Sequence, residues 1–115
     1  RISHAALGAA GGSLKTLKLG GMSGVVGAGQ VCQAHGQHIN LAGKIAETSI
    51  ASSAVIHLAA VLPNVDWGVS PSLEYLVEDI TDQPVKAEDG VYRVSNRPGL
   101  GVDVDEAAVR RFAFC

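Results

Sequence analysis

The chain has no run of basic residues, no long apolar run and only two cysteines. With a net charge of −2, it offers no electrostatic footprint for nucleic acid or for an anionic membrane. Its longest apolar run opens at Val55-Ile56, is broken by His57 and stops at Pro63, too short to span a bilayer. The N-terminus shows no secretory leader pattern. Cys32 falls in a helical pattern and Cys115 is the last residue. Two thiols so placed read as free cysteines in a reducing compartment, so a cytoplasmic location is expected. No Gly-x-Gly-x-x-Gly fingerprint follows an apolar strand, and Gly20-Gly21-Met22-Ser23-Gly24 lacks that spacing, which argues against a dinucleotide site. An initiator methionine is also missing. The chain opens on Arg1 and is expected to be the C-terminal piece of a longer protein.

What is present points to one α/β domain or part of one. The 115 residues fit one domain at most, and a 47% hydrophobic content suffices for a core. Residues 1–12, rich in Ala and Gly, look like the end of an earlier helix and its loop. Leu14, Leu17 and Leu19 predict a strand near 14–18. Ser23 can cap a helix near 23–35, with Val25, Val26, Ala28, Val31 and Cys32 on its apolar side. Gly36 ends it at a favoured position. A second strand is expected at 38–42, a helix at 50–62 closed by Pro63, and a third strand at 65–68. The strand spacing of roughly 25 residues fits a strand, a helix and two short loops. A βαβαβ run of this kind requires parallel strands with right-handed crossovers. Beyond residue 70, Val85-Lys86-Ala87 and Val91-Tyr92-Arg93-Val94 flank Glu88-Asp89-Gly90, a hairpin signal. Asn96-Arg97-Pro98-Gly99-Leu100-Gly101 is a turn-rich bend, and Asp105 can cap a last short helix through Phe112. Periodicity alone does not separate a (β/α)8 barrel from an open doubly wound sheet.

The chemistry concentrates at two strand ends. Lys15 is expected beside a βα loop, where parallel α/β folds do their chemistry. Gly43-Lys44-Ile45-Ala46-Glu47-Thr48-Ser49 is a second such place. An ammonium and a carboxylate on one face of a sheet can move a proton to or from carbon. Simpler roles compete. Lys15 could snorkel to water, and Glu47 could favour the dipole of the helix after it. Lys44 could meet a substrate carboxylate or pair with Glu47. Lys18 reads as a solvated charge and His57 as a packed or surface helix residue. His35 and His38 flank Gly36 at the opposite end of the strands, without the partners a zinc site needs. Trp67 reads as packing with its indole near the mouth, and Glu74, Glu78, Asp79 and Asp82 as a solvated acidic surface.

Four pieces in order carry a family likeness: Leu14-Lys15-Thr16-Leu17-Lys18-Leu19-Gly20-Gly21, Ala42-Gly43-Lys44-Ile45-Ala46-Glu47-Thr48-Ser49-Ile50, Asp66-Trp67-Gly68 and Arg97-Pro98-Gly99-Leu100-Gly101-Val102. They resemble the enolase superfamily, in its muconate cycloisomerase/mandelate racemase branch. The resemblance implies the C-terminal part of a (β/α)8 TIM-type barrel: about the last three strands within residues 1–70, then a segment, 71–115, that packs on barrel and capping domain. It implies a parent enzyme that abstracts the α-proton of a small carboxylate substrate for racemisation or epimerisation, dehydration or cycloisomerisation. Lys15 would be the acid/base and Glu47 a second catalytic residue, in the electrophilic or substrate-binding part of the site, with Lys44 and Trp67 as substrate contacts. Mg2+ would come with carboxylates upstream of this chain, so no metal ligand, no tight metal and no turnover are expected of the piece alone. Its partners would be the rest of the barrel and the capping domain, in a homo-oligomeric parent. The rival readings are a non-catalytic half-barrel fragment and an open α/β binding module.

Overall fold

The computed structural model describes residues 8–113; most of the expected opening helix, and Cys115, lie outside that range. Three short strands lie side by side in chain order: β1 (Gly11–Leu14), β2 (His38–Ala42) and β3 (Val69–Ser70). Both pairs are parallel, with Gly11 opposite His38, Leu14 opposite Leu41 and Leu41 opposite Val69. Parallel neighbours need long crossovers. The helices α2 (Met22–Ala34) and α3 (Ser49–Val61) supply them. A single turn of helix, α1 (Thr16–Leu19), precedes α2, and α4 (Glu106–Phe112) lies near the end of the chain. Among the described residues no helix is long and apolar enough to cross a membrane.

The two faces of the sheet differ because successive strand residues point opposite ways. Ile39 and Leu41 pack under the helices with Val25, Cys32, Val55, Leu58 and Leu62, and these form the core. Cys32 is a free, buried thiol within it. The other face is polar. Ser13 Oγ donates to Asn40 Oδ1 at 3.0 Å. Asn40 Nδ2 donates on to Ser70 Oγ at 3.1 Å and to the Gly68 carbonyl at 2.9 Å. One amide thus ties all three strands on the face that carries no helix.

Several expected boundaries are corrected. The first strand is not 14–18; it ends at Leu14, and Thr16 to Leu19 are helical. Leu17 and Leu19 are 61% and 37% exposed, so their apolar character marks no buried strand. The glycines before them form the strand instead. A Cβ at Gly11 would lie 1.8 Å from the His38 carbonyl oxygen, so only glycine permits that approach. The third strand is shifted from 65–68 to 69–70, because Gly68 turns back on the Val65 carbonyl with φ at +76°. Helix α2 starts after Gly21, without a side-chain cap, and Ser23 lies inside it. Gly36 ends it in the left-handed region as expected (φ +65°). The hairpin at 85–94 reduces to its turn: Glu88 and Val91 exchange two backbone bonds around Asp89-Gly90, with no strands beyond. Asp105 does cap α4, accepting from the Ala107 and Ala108 amides.

Candidate active site at the carboxyl ends of the strands

Lys15 directly follows β1 and is still extended (φ −132°, ψ 134°). It therefore continues the alternation of the strand and shares the polar face with Gly11 and Ser13. Its Nζ donates to the Gly43 carbonyl at 2.8 Å. Gly43 directly follows β2, so an ammonium from one strand end sits on the next.

Glu47 reaches the same glycine from the loop after β2. A Cβ on Gly43 would lie 2.7 Å from Glu47 Oε2. That oxygen is buried and has no hydrogen-bond partner. A buried carboxylate oxygen without a donor is costly, which singles it out as unused binding capacity. Lys15 and Glu47 thus converge on Gly43 without forming an ion pair with each other. The strained loop holds this arrangement. Ala46, next to Glu47, adopts φ +60°, a conformation that costs a non-glycine residue about 1–2 kcal/mol. Its amide is held by the Ser72 carbonyl at 3.1 Å. Upstream, the Gly43 amide donates to the Ser70 carbonyl at 3.0 Å.

The other expected contacts separate. Lys44 is exposed at this same end and makes no ion pair with Glu47; only its carbonyl is engaged, by the Glu47 amide at 3.2 Å. Trp67 is corrected. Its amide donates to the Ile39 carbonyl, its ring lies 6.1 Å from that of His38, and it would touch a side chain at Gly11. Those neighbours are the amino ends of β1 and β2, so the indole stands at the far end of the sheet from Lys15 and Glu47. His38 there lies 2.6 Å from Asp66, and His57 holds the Ser53 carbonyl inside α3. The acidic stretch is corrected as well. Asp79 accepts from the buried Ser49 amide at 2.9 and 3.3 Å and is not a merely solvated charge; Glu74, Glu78 and Asp82 are exposed as expected, Glu78 in a surface pair with Arg111. Asn40 and Ser13 escaped sequence reasoning, although their two-residue offset from Ala42 and Lys15 places them on the same sheet face.

Magnesium wants about six oxygen ligands, several from carboxylates or water. At this end of the sheet the carboxylates are Glu47 and Asp79, the latter taken up by the Ser49 amide, and the Lys15 and Lys44 ammonium groups belong to the same two strand ends. Among the described residues no three His, Cys, Asp or Glu side chains gather. The donor set of the described residues does not fit magnesium.

Residues 6–108 match the family model described as enolase C-terminal domain-like. A chloromuconate cycloisomerase of Cupriavidus pinatubonensis is 35% identical over 104 residues, covering 88% of this chain and 27% of that protein. Muconate cycloisomerase 1 of Pseudomonas putida is 35% identical over the same length, with the same two coverages. The solved muconate lactonizing enzyme from Pseudomonas putida superposes with a TM-score of 0.83 at 32% identity, covering 96% of this chain and 31% of that one. The chain therefore spans about a quarter of the length of the curated relatives it matches.

Proposed function

The chain belongs to the enolase C-terminal domain-like family, as the C-terminal portion of the muconate cycloisomerase branch, and from that premise we propose that it completes a (β/α)8-type barrel enzyme moving a proton on the carbon next to a carboxylate. The reaction type favoured by the names of its relatives is cycloisomerisation. In that reaction one carboxylate oxygen of the substrate bonds to a carbon of its own double bond. The electron pair moves to the carbon beside the second carboxylate, giving an enolate. Lys15 delivers its proton to that carbon and is left as an amine; in the reverse direction the amine takes the proton back. Atoms and charge balance within the substrate and Lys15. Glu47 orients the carboxylate side of the substrate, and Lys44 lies at the rim as a counter-charge. A magnesium ion of such an enzyme takes its ligands from the rest of the barrel, outside this chain.

The observation that carries this reading is the convergence of Lys15 and Glu47 on Gly43 from the segments that follow two adjacent parallel strands. The test uses the full-length polypeptide that contains these residues, in deuterated water with muconolactone. NMR reads exchange of the hydrogens beside the lactone's side-chain carboxylate. Lys15→Ala is expected to lower exchange by about 10²–10⁴-fold, the usual weight of a positioned acid/base. Exchange at the unmutated rate would reduce Lys15 to a strand-end charge. A wild-type protein inert toward both muconolactone and cis,cis-muconate would contradict the cycloisomerase reading.

A further inference from the structure

We propose that Asp79 is a positioning residue for Glu47, acting from 30 positions further along the chain than the amide it holds. The inference rests on the reading of Glu47 given above. Helix α3 begins at Ser49, and its N-cap residue Thr48 supplies no side-chain hydrogen bond. The first amides of a helix have no partner within it. The Ser49 residue is fully buried, so its amide cannot turn to water. Both oxygens of Asp79 take that amide, at 2.9 and 3.3 Å. The Asp79 carboxylate is itself fixed by the Ile80 amide at 2.7 Å.

Glu47 lies between two such pins. Two residues after it stands Ser49, held by Asp79; directly before it stands Ala46, held in its strained conformation by the Ser72 carbonyl. Both partners come from the segment that follows β3. The Ser49 hydroxyl adds a third tie, accepting from the Val85 amide at 2.8 Å. Glu47 Oε2 has no hydrogen bond of its own, so its location depends on where its backbone is held. Releasing the Ser49 amide frees one of the two pins and lets the carboxylate leave Gly43. A displacement of about 1 Å in such a group can cost on the order of a hundredfold in rate.

The experiment is a double-mutant cycle in the full-length protein, using muconolactone exchange and cis,cis-muconate turnover, with rates expressed per folded molecule from a thermal melt. Asp79→Ala is expected to lower kcat ten- to a hundredfold with little change in KM. Asp79→Asn keeps one carbonyl acceptor for the Ser49 amide and is expected to recover most of that loss. In the Glu47→Gln background, Asp79→Ala is expected to change kcat less than twofold, because the residue it positions is already disabled. If Glu47→Gln is strongly impaired while Asp79→Ala keeps the wild-type kcat, the positioning role is overturned and the reading of Glu47 stands. If the two losses multiply, Asp79 is a structural cap only and the proposal falls. A fully active Glu47→Gln, or a wild type inert on both probes, overturns the underlying reading and the positioning role with it.

Discussion

The chain from β1 to β3 and the chain after β3 are held in different ways. The buried apolar side chains Val25, Ile39, Leu41, Val55, Leu58 and Leu62 all lie in the first region, under one face of a parallel sheet. The second region adds Ala108 to that set and leaves Tyr75, Val77, Val91, Val94 and Phe112 exposed. Its ion pairs, Arg93–Glu88, Arg97–Asp103, Arg110–Glu106 and Arg111–Glu78, all join exposed side chains, where a pair is worth about 0–1 kcal/mol. Its firmer attachments are polar ties to α3: Asp79 to the Ser49 amide, Val85 to the Ser49 hydroxyl, and the Ser53 hydroxyl donating to the Leu100 carbonyl at 2.6 Å. Burial therefore builds the frame, and hydrogen bonds fasten a strap to it. The strap's contacts reach the loop that carries Glu47, so the less buried region helps to place a side chain of the more buried one.

The largest effect that could break this contrast is a cavity in the frame. Leu58 is 1% exposed, and Leu58→Ala is expected to cost about 2–5 kcal/mol in denaturant unfolding. Val91→Ala in the strap, at a position 53% exposed, is expected to stay within about 0.5 kcal/mol. Equal losses at the two sites would mean that the strap has a core of its own. A smaller effect sharpens the contrast from the strap side. Asp105→Ala removes the cap of α4 and is expected to cost about 1 kcal/mol. Hydrogen exchange should speed at the Ala107 and Ala108 amides while Ile39 and Leu41 in β2 stay protected. Acceleration at both would show frame and strap unfolding as one unit.

The smallest effect is alkaline. Burial, then the Glu74 charge and a hydrogen bond to it, raise the Tyr92 phenol above its ordinary value. The folded state thus holds that proton harder than the unfolded state. This contribution is intact below about pH 10, where an unfolded tyrosine begins to ionise, and is lost as pH rises through the higher folded value. Tyr92→Phe should flatten the fall in melting temperature above that pH and lower the melting temperature only slightly at neutral pH, where one exposed hydrogen bond to Glu74 is lost. An unaltered alkaline limb would place its cause elsewhere.

The parallel sheet and both crossover helices were legible because their apolar spacing is regular and Gly36 and Pro63 punctuate it. The family likeness was legible in four short pieces, and it led to Lys15 and Glu47, which the structure brings to one glycine. Leu17 and Leu19 misled because exposed leucines in a single helical turn imitate a strand. Gly11 and Gly12 looked like loop because close packing between backbones leaves no trace in sequence beyond the missing side chain. Trp67 was assigned to the wrong end because its position along the third strand depends on the turn at Gly68. Asp79 was taken for solvated charge because the amide it accepts from lies 30 residues away, a separation no local pattern reports. Long-range polar ties are the least legible part of this molecule, and they hold the strap.

Gly43→Ala tests the meeting of Lys15 and Glu47 most directly. The added Cβ would stand 2.7 Å from Glu47 Oε2 and 3.7 Å from Pro71 Cα. The closer atom ends a flexible side chain, so the carboxylate swings away while the frame stays intact. In the full-length protein the melting temperature should change little, while muconolactone exchange falls at least tenfold. An unchanged exchange rate at unchanged stability would contradict the convergence of Lys15 and Glu47 on Gly43 as the centre of the chemistry.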